Sequence, residues 1–581
     1  MHRIGIISTL LFSFLLAGYS VVVEAAPDSG TMLQQQQQRQ NSSSIPRQLP
    51  EKEKEAKKSF PKKASAGPKV LIKDIELDVA DSIITVDDVR YLFSEAIGKE
   101  LGFDEINAVV TNLNEYLREN GFILARAYLP KQDVTAGVIN IKIYNGRLEA
   151  KDGDVVEVSS KNLRLNRELI QKIASSRLSA GKTVKSEDVE RVLLLINDLP
   201  AISARATLKK GDVPGTTRIA VDIREDRMFS GVAWVDNYGS RYSGSNTLNG
   251  QLNVNDPLGI GDRVSATLSL SEKQSNYNLR YSAPLFSDGL RVNGTVNFLD
   301  YEIGKELASS RSEGEAVTYG FGLSYPLIRS RRRNLTFAGN YYDKELEDKV
   351  AGVVFSDRLI DTLEMRASYD SIDRFYGGGF TMASATFVYG DIDLSKVDSD
   401  LESDRLTAKV DGKYILMRVS ASRLQRLPGN YSMFASFRGQ MTNQNLDSSE
   451  HISLGGINGI RAYPGGEASG DQGWQLTTEL RYDIDASWDI GNVQLFGFVD
   501  LGGIRLNRNP WENAVTTITE KNQYNLTGIG FGASLLKAGQ YNAKLQVAAP
   551  LVDNDGRDTN GNDSDGLTED VRFWFSASYQ F

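Results

Sequence analysis

The chain has 581 residues with no cysteine and two histidines, and its 66 basic and 75 acidic side chains give a formal net charge of −9. Without cysteine there is no disulfide framework, thiol nucleophile, iron–sulfur cluster or cysteine zinc site, and two histidines exclude a multi-histidine metal centre. The acidic balance argues against a nucleic-acid partner, and the length predicts several domains or one unusually large one.

Residues 1–25 have the pattern of a secretory signal peptide. Arg3 precedes a mostly apolar run, and Val23-Glu24-Ala25 offers a small-residue cleavage site. An uncleaved membrane anchor is the alternative, because the apolar run approaches the length that spans a bilayer. We expect an exported mature chain.

Residues 26–68 are rich in glutamine, serine and charged side chains. Such a segment buries too little apolar surface to offset the entropy of ordering, so we expect a disordered tether. A short helix over residues 51–60 is compatible with the pattern but not required by it. Whether the tether carries a helix that plugs a pore stays open.

An internal repeat follows the tether. Residues 123–129 read ILARAYL and residues 202–208 read ISARATL. Each copy follows an amphipathic helix and precedes a strand of alternating apolar residues, so the unit reads strand–helix–helix–strand–strand twice. We place the copies at 69–149 and 150–228; two unrelated α+β domains are the alternative.

From Phe229 onward the chain alternates apolar and polar residues over segments of about 8–12 residues, as strands with unlike faces do. A soluble sandwich also alternates. Long strands, arginines on the polar face and aromatic residues near strand ends instead favour a transmembrane barrel, which closes to satisfy every backbone hydrogen bond. We predict about sixteen antiparallel strands over 229–581, with short periplasmic turns and longer loops on the exterior side, among them the glycine-rich loop 447–473.

Several motifs resemble those of the TpsB transporters of two-partner secretion, the ShlB/FhaC/HecB-like family within the outer-membrane assembly factors. They are LPKQD at 129–133, DNYG at 236–239, PLGIGD at 257–262, GGINGIRAY at 455–463 and FVDLG at 498–502. The resemblance implies two periplasmic POTRA modules before a sixteen-stranded barrel, in the outer membrane of a Gram-negative bacterium.

The resemblance also implies that the loop 447–473 folds into the lumen, where Arg461 contacts Asp500 on the thirteenth barrel strand. Ile460 and Ala462 depart from the valine and glycine usual in the family, so the loop needs no glycine-only backbone angle at 462. Alternation on the twelfth and thirteenth strands independently places four side chains in the lumen. The predicted loop–barrel lock comprises Arg461, Tyr463, Phe498, Asp500, Gly502, Glu479 and Arg481; an Arg461 exposed to external water is the alternative.

As function, the resemblance implies a pore that recognises an unfolded exoprotein in the periplasm and secretes it to the cell surface. The cargo would be a large β-helical adhesin, cytolysin or contact toxin, bound by β-augmentation at an edge near 138–144 and beside the helix 107–119. The predicted binding residues are Arg126, Gln132, Asp133, Ile139, Ile141 and Tyr144; alternatively these faces only pack the module. A barrel-assembly insertase and a passive diffusion porin are the competing functions.

We expect no enzyme, cofactor or metal. His451 is alone in a loop, where we expect it to be solvated. The acidic loop 553–569 misses the glycine spacing of a calcium-binding loop, so we expect an exposed, self-repelling surface. Outer-membrane lipid is an expected partner, as is the barrel assembly machinery, which would read the amphipathic last strand ending at Phe581.

Overall fold

The structure is a computed structural model, and it describes residues 27–41, 68–79, 84–144, 146–484 and 490–581. The predicted signal peptide and the 51–60 helix lie outside these residues. The first described element is helix α1 (Ser29–Asn41), which we call the lumen helix because it lies inside the barrel. The prediction of a disordered tether is therefore wrong for this part of the chain.

The lumen helix is ordered because its surroundings suit its composition. Met32 and Leu33 are fully buried among apolar side chains of the barrel interior, whereas Gln34, Gln35 and Gln36 are buried where polar groups are plentiful. A long run of glutamine has good intrinsic helix propensity but too little apolar surface to fold alone. Among the described residues, no helix is long and apolar enough to cross a lipid bilayer.

The first α+β module follows. Its core is formed by helix α3 and a three-stranded sheet in the order β2-β5-β4, with a separate two-stranded pair, β1 and β3. The β2–β5 pair is parallel and the β5–β4 pair antiparallel. The elements are β1 (Val70–Leu71), β2 (Asp74–Val79), α2 (Val86–Val89), the 3₁₀ turn Arg90–Leu92, β3 (Glu100–Leu101), α3 (Phe103–Glu119), β4 (Arg126–Tyr128) and β5 (Val138–Tyr144).

The second module repeats the plan. Its central strand β9 pairs in parallel with β6 and β7 and, on its other side, antiparallel with β8. Leu124 of the first module is packed into the apolar core of the second, so the two modules share an interface. The elements are β6 (Arg147–Leu148), β7 (Glu157–Val158), α4 (Arg167–Ser175), α5 (Ser186–Asn197), β8 (Ile202–Lys210) and β9 (Thr216–Glu225).

Sixteen antiparallel strands close into a barrel, which confirms the predicted fold class. The barrel closes where the last strand, β27, pairs with the first, β10. The strands are β10 (Phe229–Asp236), β11 (Thr247–Asn255), β12 (Arg263–Leu270), β13 (Gln274–Pro284), β14 (Arg291–Glu302), β15 (Ser312–Arg329), β16 (Arg333–Val350), β17 (Val353–Asp373), β18 (Gly379–Asp393), β19 (Gly412–Arg426), β20 (Tyr431–Thr442), β23 (Gln472–Asp483), β24 (Asn492–Arg505), β25 (Gln523–Lys537), β26 (Tyr541–Pro550) and β27 (Arg572–Gln580).

The two faces of the barrel wall differ as the alternation predicts. On β24, Leu495 and Val499 are exposed on the outside, whereas Phe498 and Asp500 are buried inside. An apolar exterior and a polar interior are what a barrel in lipid requires. Two insertions between wall strands are not part of the barrel sheet. They are helix α6 (Asp398–Leu406) between β18 and β19, and the short hairpin of β21 (Ile452–Ser453) and β22 (Ser469–Gly470) between β20 and β23.

The second module is fixed to the short-turn end of the barrel. Arg191 is only 7% exposed, and its guanidinium donates to the backbone carbonyls of Pro326 (2.8 Å) and Asp288 (3.3 Å). Beside it, Asp198 forms an ion pair of 2.6 Å with Arg329 at the end of β15. The modules therefore continue from the barrel on the side of its short turns.

Candidate functional site

The loop 443–471 between β20 and β23 enters the barrel and forms a compact turn there. The Ile460 amide donates to the Leu454 carbonyl over 2.6 Å, and the Gly456 amide donates to the Tyr463 carbonyl over 3.0 Å. Both Ile460 and Tyr463 are almost fully buried. These short-range bonds hold the turn in one shape and direct the intervening residue, Arg461, towards the barrel wall.

Arg461 binds two carboxylates of neighbouring strands. Its Nε and Nη2 atoms donate to the two oxygens of Asp500 on β24, each over 2.9 Å, and Nη1 donates to Glu479 on β23 over 2.6 Å. Nη1 also donates to Gln546, and the guanidinium stacks 3.4 Å from the centroid of the Phe498 ring. The predicted contact with Asp500 is present, and Arg461 is buried rather than exposed to external water.

Glu479 joins a second cation to this cluster. Arg481, two residues along β23, donates to the other carboxylate oxygen of Glu479 over 2.6 and 2.8 Å. Thr477 donates to Asp500 over 2.9 Å, and Trp574 on β27 donates to the Arg461 carbonyl over 2.8 Å. Arg461 and the two carboxylates are thus held by side chains of four strands, β23, β24, β26 and β27, and a buried ion pair needs such hydrogen bonds to be favourable.

The loop fits closely against the wall. A Cβ at Gly502 would lie 2.8 Å from the Ile460 side chain, so the wall needs glycine there. Ala462, which stands where the family usually has glycine, packs against Gly528 of the wall. A Cβ at Gly528 would lie 2.7 Å from the Cβ of Ala462. The Tyr463 hydroxyl donates to the Val552 carbonyl over 3.0 Å. The loop and the wall are therefore shaped to each other.

A second buried cluster surrounds Arg358 on β17 and joins three parts of the molecule. Its guanidinium pairs with Asp348 of the wall (2.6 Å), Asp447 of the loop (2.7 Å) and Asp28 at the start of the lumen helix (3.0 Å). Ser29 adds hydrogen bonds from its amide and hydroxyl to Asp348, over 2.8 and 2.9 Å. One cation therefore holds helix, loop and wall together.

The loop is fixed to the wall at a third place. Glu450, which is 1% exposed, accepts from Lys344 on β16 and from Arg418 on β19, each over 2.5 Å. The lumen helix touches the loop again along its length, where Gln34 donates to the His451 carbonyl and Asn458 donates to the Gln38 carbonyl, each over 3.0 Å. Helix and loop form one internal body that fills much of the lumen.

The sequence predictions missed the clusters around Arg358 and Glu450. A signal was present for the wall residues, because alternation places Lys344, Asp348 and Arg358 on the lumen face of long strands. Asp28 also carried a local signal, since its carboxylate accepts from the Thr31 amide over 2.8 Å, as an N-cap residue does. Nothing in the sequence indicated that these residues meet.

The predicted binding residues of the first module need correction. Ile139 and Ile141 are 1% and 0% exposed, so they pack the core and cannot contact a partner. The prediction of an edge near 138–144 is also wrong, because β5 is the central strand between β2 and β4. A short, strongly alternating strand looks the same in sequence whether it lies at an edge or in the centre.

The remaining predicted residues of this module have different surroundings. Arg126 and Asp133 are exposed. Gln132 binds the backbone of Asn140 in both directions, over 2.7 Å each, and so extends the sheet next to β5. Tyr144 is 44% exposed, and its hydroxyl lies against Gly215 of the second module. The structure therefore does not gather the six residues into one surface.

Two further predictions about loops are wrong. The His451 ring is not solvated but faces Asp471, with 3.2 Å between Nε2 and the carboxylate. In the acidic loop, Asp563 and Asp565 are buried and pair with Arg572, and Asp563 also pairs with Arg557, so the segment does not repel itself. Within the described ranges, no three histidine, aspartate or glutamate residues are grouped so that they could hold a metal ion.

The family of the chain follows from comparison with known proteins. The family model of the haemolysin secretion/activation protein ShlB/FhaC/HecB matches residues 215–535, and the ShlB-type POTRA domain matches residues 70–146. The chain belongs to the haemolysin secretion/activation family. The first match covers more than half of the chain, and it includes the inward loop and the strands β23 and β24, which carry Glu479 and Asp500.

Relatives over the full length agree. The heme/hemopexin transporter protein HuxB of Haemophilus influenzae is 26% identical over 566 residues, covering 95% of this chain and 96% of HuxB. The outer membrane transporter CdiB of Escherichia coli is 22% identical over 452 residues, covering 76% of this chain and 74% of CdiB. As a member of this family, the chain is an outer-membrane transporter of two-partner secretion with its modules in the periplasm.

Solved structures show the same fold. CdiB from Escherichia coli superposes with a TM-score of 0.71 at 20% identity, over 96% of this chain and 99% of that one. BamA from Haemophilus ducreyi lacking POTRA domains 1–3 superposes with a TM-score of 0.52 at 14% identity, over 88% of this chain and 100% of that one. At these identities the likeness concerns the fold alone.

Proposed function

We propose that the haemolysin secretion/activation member described here secretes one large exoprotein in unfolded form, and that the lumen helix and the inward loop are a plug that must move first. The single observation that carries this proposal is the cluster at Arg358. It ties the helix, the loop and the wall through one cation, and Ser448 of the loop also donates to Asp28, so withdrawing the helix removes contacts that hold the loop. A resting pore would thus stay closed to the exoprotein until the helix is drawn out.

The cargo would first engage the periplasmic modules. Within the described part of the chain, the edge strands β2 and β8 each pair on one side only, with β5 and β9 respectively. The nine-residue strand β8 offers the longer row of free backbone donors and acceptors. An extended segment of an unfolded protein can add to such an edge as a further strand. This replaces the edge at 138–144 as the proposed contact.

The driving force would come from the cargo itself. The sequence contains no glycine–lysine phosphate-binding loop for a nucleotide. A β-helical exoprotein that folds only after it reaches the cell surface would draw the chain outward, because the folded part cannot return through the lumen. An adhesin, a cytolysin or a contact toxin has this character. Co-expression with an exported β-repeat protein encoded beside this chain would test the pairing.

The plug is tested by locking it. Because the natural chain lacks cysteine, two introduced cysteines pair without competition. The Ser448 hydroxyl donates to the Asp28 carboxylate over 2.6 Å, so these two side chains face each other and are the pair chosen for a disulfide in Asp28→Cys/Ser448→Cys. We expect the oxidised variant to secrete its exoprotein at less than about a tenth of the normal level, since one disulfide adds more than about 2 kcal/mol to the closed state. A reducing agent should restore secretion.

The controls are the single variants Asp28→Cys and Ser448→Cys under the same oxidising conditions. Each removes one partner of Arg358 or one hydrogen bond but cannot link helix to loop. Both should secrete at nearly the normal level with and without reductant. Normal secretion by a preparation in which the disulfide has formed completely would contradict the plug.

For its own assembly, the chain would be recognised through its last strand. β27 ends one residue before Phe581, whose amide and carbonyl pair with Gly231 of the first strand over 3.0 and 3.1 Å. The Phe581 side chain is 54% exposed and faces outward with Tyr579 and Phe573. Before the barrel closes, an amphipathic last strand of this kind suits recognition by the barrel assembly machinery. Removing Phe581 should lower the amount of folded, heat-modifiable barrel in the outer membrane.

A further inference from the structure

A cavity of about 710 Å³ remains in the lumen beside the plug. One side is the lumen helix, which contributes Leu33 and the amide side chains of Gln34, Gln36, Gln37 and Gln38. The other side is the barrel wall from β13 to β20. The cavity is large enough for many water molecules, and the helix brings no charge to it.

The charged side chains around this cavity are mostly basic. Among the described residues that line it, one carboxylate faces five cations: Glu364 against Arg280, Lys344, Arg366, Arg418 and Arg438. Lys344 and Arg418 are compensated by Glu450, and Arg418 also lies 3.5 Å from Glu364. The other three arginines are left with little or no compensation.

These three arginines differ from the buried pairs of the plug. Arg438 donates to Gln475 and to the Ser453 carbonyl, both neutral, over 2.7 Å each. Arg366 donates to Thr386 over 3.1 Å, and its nearest carboxylate, Glu364, is 4.0 Å away. Arg280 is exposed to the lumen without a carboxylate partner in the described part of the chain. The cavity therefore has an excess of positive charge at its wall.

The basic character continues towards the periplasmic end of the lumen. Arg263 donates to Asn255 over 2.9 Å, and Arg291 donates to the Gly261 carbonyl and to Ser282 over 3.3 and 3.2 Å. All these hydrogen-bond acceptors are neutral, although the carboxylates of Asp198 and Asp262 lie near Arg291. Arginine side chains are thus present at the periplasmic mouth of the lumen as well as around the cavity.

We propose that this cavity is an anion-selective pathway, distinct from protein secretion, which attracts small anions and holds polyvalent, phosphate-bearing ones most strongly. Rings and rows of arginine and lysine are the groups that select anions in pores. Low-dielectric walls of one sign of charge concentrate counter-ions and exclude ions of the same sign. Secretion needs the plug to leave, whereas this pathway is present with the plug in place.

The test is ion selectivity of the full-length protein in a planar bilayer of neutral phospholipid. Under a roughly tenfold KCl gradient, we expect a reversal potential with the same sign as the equilibrium potential of chloride. Chloride should be at least about fivefold more permeant than potassium. Tripolyphosphate should reduce the conductance. In Arg280→Gln/Arg366→Gln/Arg438→Gln the permeability ratio should fall to about twofold or less, and the block by tripolyphosphate should weaken.

Two controls separate the pathway from general surface charge. The charge-conserving Arg280→Lys/Arg366→Lys/Arg438→Lys should keep the chloride preference, and Arg405→Gln on the exposed helix α6 should not change it. Heat-modifiable migration in gels shows that each variant is a folded barrel. A closed, non-conducting full-length protein, a preference for potassium, or an unchanged ratio in the glutamine variant would overturn the proposal, whatever the result for secretion.

Discussion

At the scale of single residues, the contact between the inward loop and the barrel wall depends on buried charges that pair with each other. Arg461 is 4% exposed, and its two carboxylates, Asp500 and Glu479, are 0% and 4% exposed. Taking such groups out of water is costly, and only the hydrogen bonds between them offset the cost. Removing one member therefore leaves the others buried without compensation.

The first prediction concerns Arg461→Ala. The change leaves the Asp500 carboxylate without its cation and leaves Glu479 paired with Arg481 alone. The docked loop should therefore lose about 3–5 kcal/mol of stability. We expect an assembled barrel in which the segment 443–471 becomes sensitive to added protease and secretion falls at least about tenfold. Arg461→Lys keeps the charge but not the two-pronged geometry, and should give an intermediate loss.

The pairing itself is checked by a double-mutant cycle. In Arg461→Ala/Asp500→Ala the second change removes the carboxylate that the first change leaves unpaired. The docked loop should therefore lose less stability than the sum of the losses in the two single variants. Arg405→Ala on the outer surface is the matched control and should secrete normally. Normal secretion by a stably assembled Arg461→Ala protein would show that the loop contact has no part in transport.

A second residue-scale prediction concerns pH and lies in the periplasm. Hydrogen bonds from Thr216 and from the backbone amides of Asp212 and Val213 lower the pKa of Glu149 from 4.5 to about 2. A carboxyl whose folded-state pKa is depressed stabilises the fold above its unfolded value, and loses that effect as the pH falls towards the folded value. The turn 211–216 should therefore loosen between about pH 4.5 and pH 2.

Hydrogen exchange measures this directly. The protection factors of the Asp212 and Val213 amides, corrected for the intrinsic rate at each pH, should decline over that window. In Glu149→Ala they should already be low at neutral pH, where the parent is protected. Amides of the β8–β9 pair serve as the internal reference. Protection that stays constant down to pH 2 in the parent would contradict the assigned role of Glu149.

At the scale of elements, position in a sheet decides what a strand can do. β5 has the residues expected of a binding edge, but β2 pairs with one side along 138–143, β4 pairs with the other at 142–144, and helix α3 covers one face. Ile139, Ile141 and Ile143 are consequently core residues, each at most 3% exposed. Their contribution is to the stability of the module, and contact with cargo must use other strands.

The corresponding prediction contrasts a core residue with an exposed one. Ile141→Ala should destabilise the first module by about 2–5 kcal/mol, because it leaves a cavity in a packed core. Arg126→Ala should change stability by no more than about 0.5 kcal/mol, since Arg126 is exposed. Urea titration of the full-length protein, followed by protease cleavage within residues 70–146, reports the module. Equal midpoints for the two variants would refute the assignment.

At the scale of the whole molecule, the modules and the barrel are joined by a defined contact. Arg191, Asp198 and Glu190 of the second module bind the barrel turns, with Glu190 accepting from the Arg331 amide over 2.6 Å. Cargo held at β8 is therefore kept close to the periplasmic opening of the lumen. Such tethering raises the local concentration of the bound segment at the opening.

Deletion of residues 70–228 tests the division of work between the modules and the barrel. The sixteen strands form a closed sheet of their own, so the shortened protein should still assemble and conduct ions. Secretion should fall below detection, because the cargo has lost its only proposed receptor. Measurement of exoprotein in the medium, beside conductance of the same preparation, gives both results. Export that survives the deletion would refute reception by the modules.

Local patterns were enough to predict much of this molecule. The capping box at Thr85 and Asp88 is a feature of this kind, because its two residues are three positions apart and both of its hydrogen bonds are local. The orientation of Glu479 and of Asp500 into the lumen followed, for each residue, from the alternation of apolar and polar side chains along its own strand. The inward loop and its contact with Asp500 came from the resemblance to the family, and the secretion function is confirmed by the family match.

The remaining features depend on contacts between distant segments. Asp28 and Ser448 are 420 positions apart, and their hydrogen bond could not be predicted from either neighbourhood. The glutamine run of the lumen helix has a disordered composition, and only the polar interior of the barrel gives it partners. Likewise, the order β2-β5-β4 is set by the packing of the module and left no trace in the alternation of β5.

By itself, the sequence determined a sixteen-stranded outer-membrane barrel behind two periplasmic modules, because the period of two and the repeat are properties of consecutive residues. Only the tertiary structure decided that the glutamine-rich segment is a helix inside the barrel, that Arg358 joins it to loop and wall, and that an arginine-lined cavity remains beside it. The physical reason is that burial and ion pairing are decided by neighbours in space, and the closed barrel brings together residues that the chain keeps hundreds of positions apart.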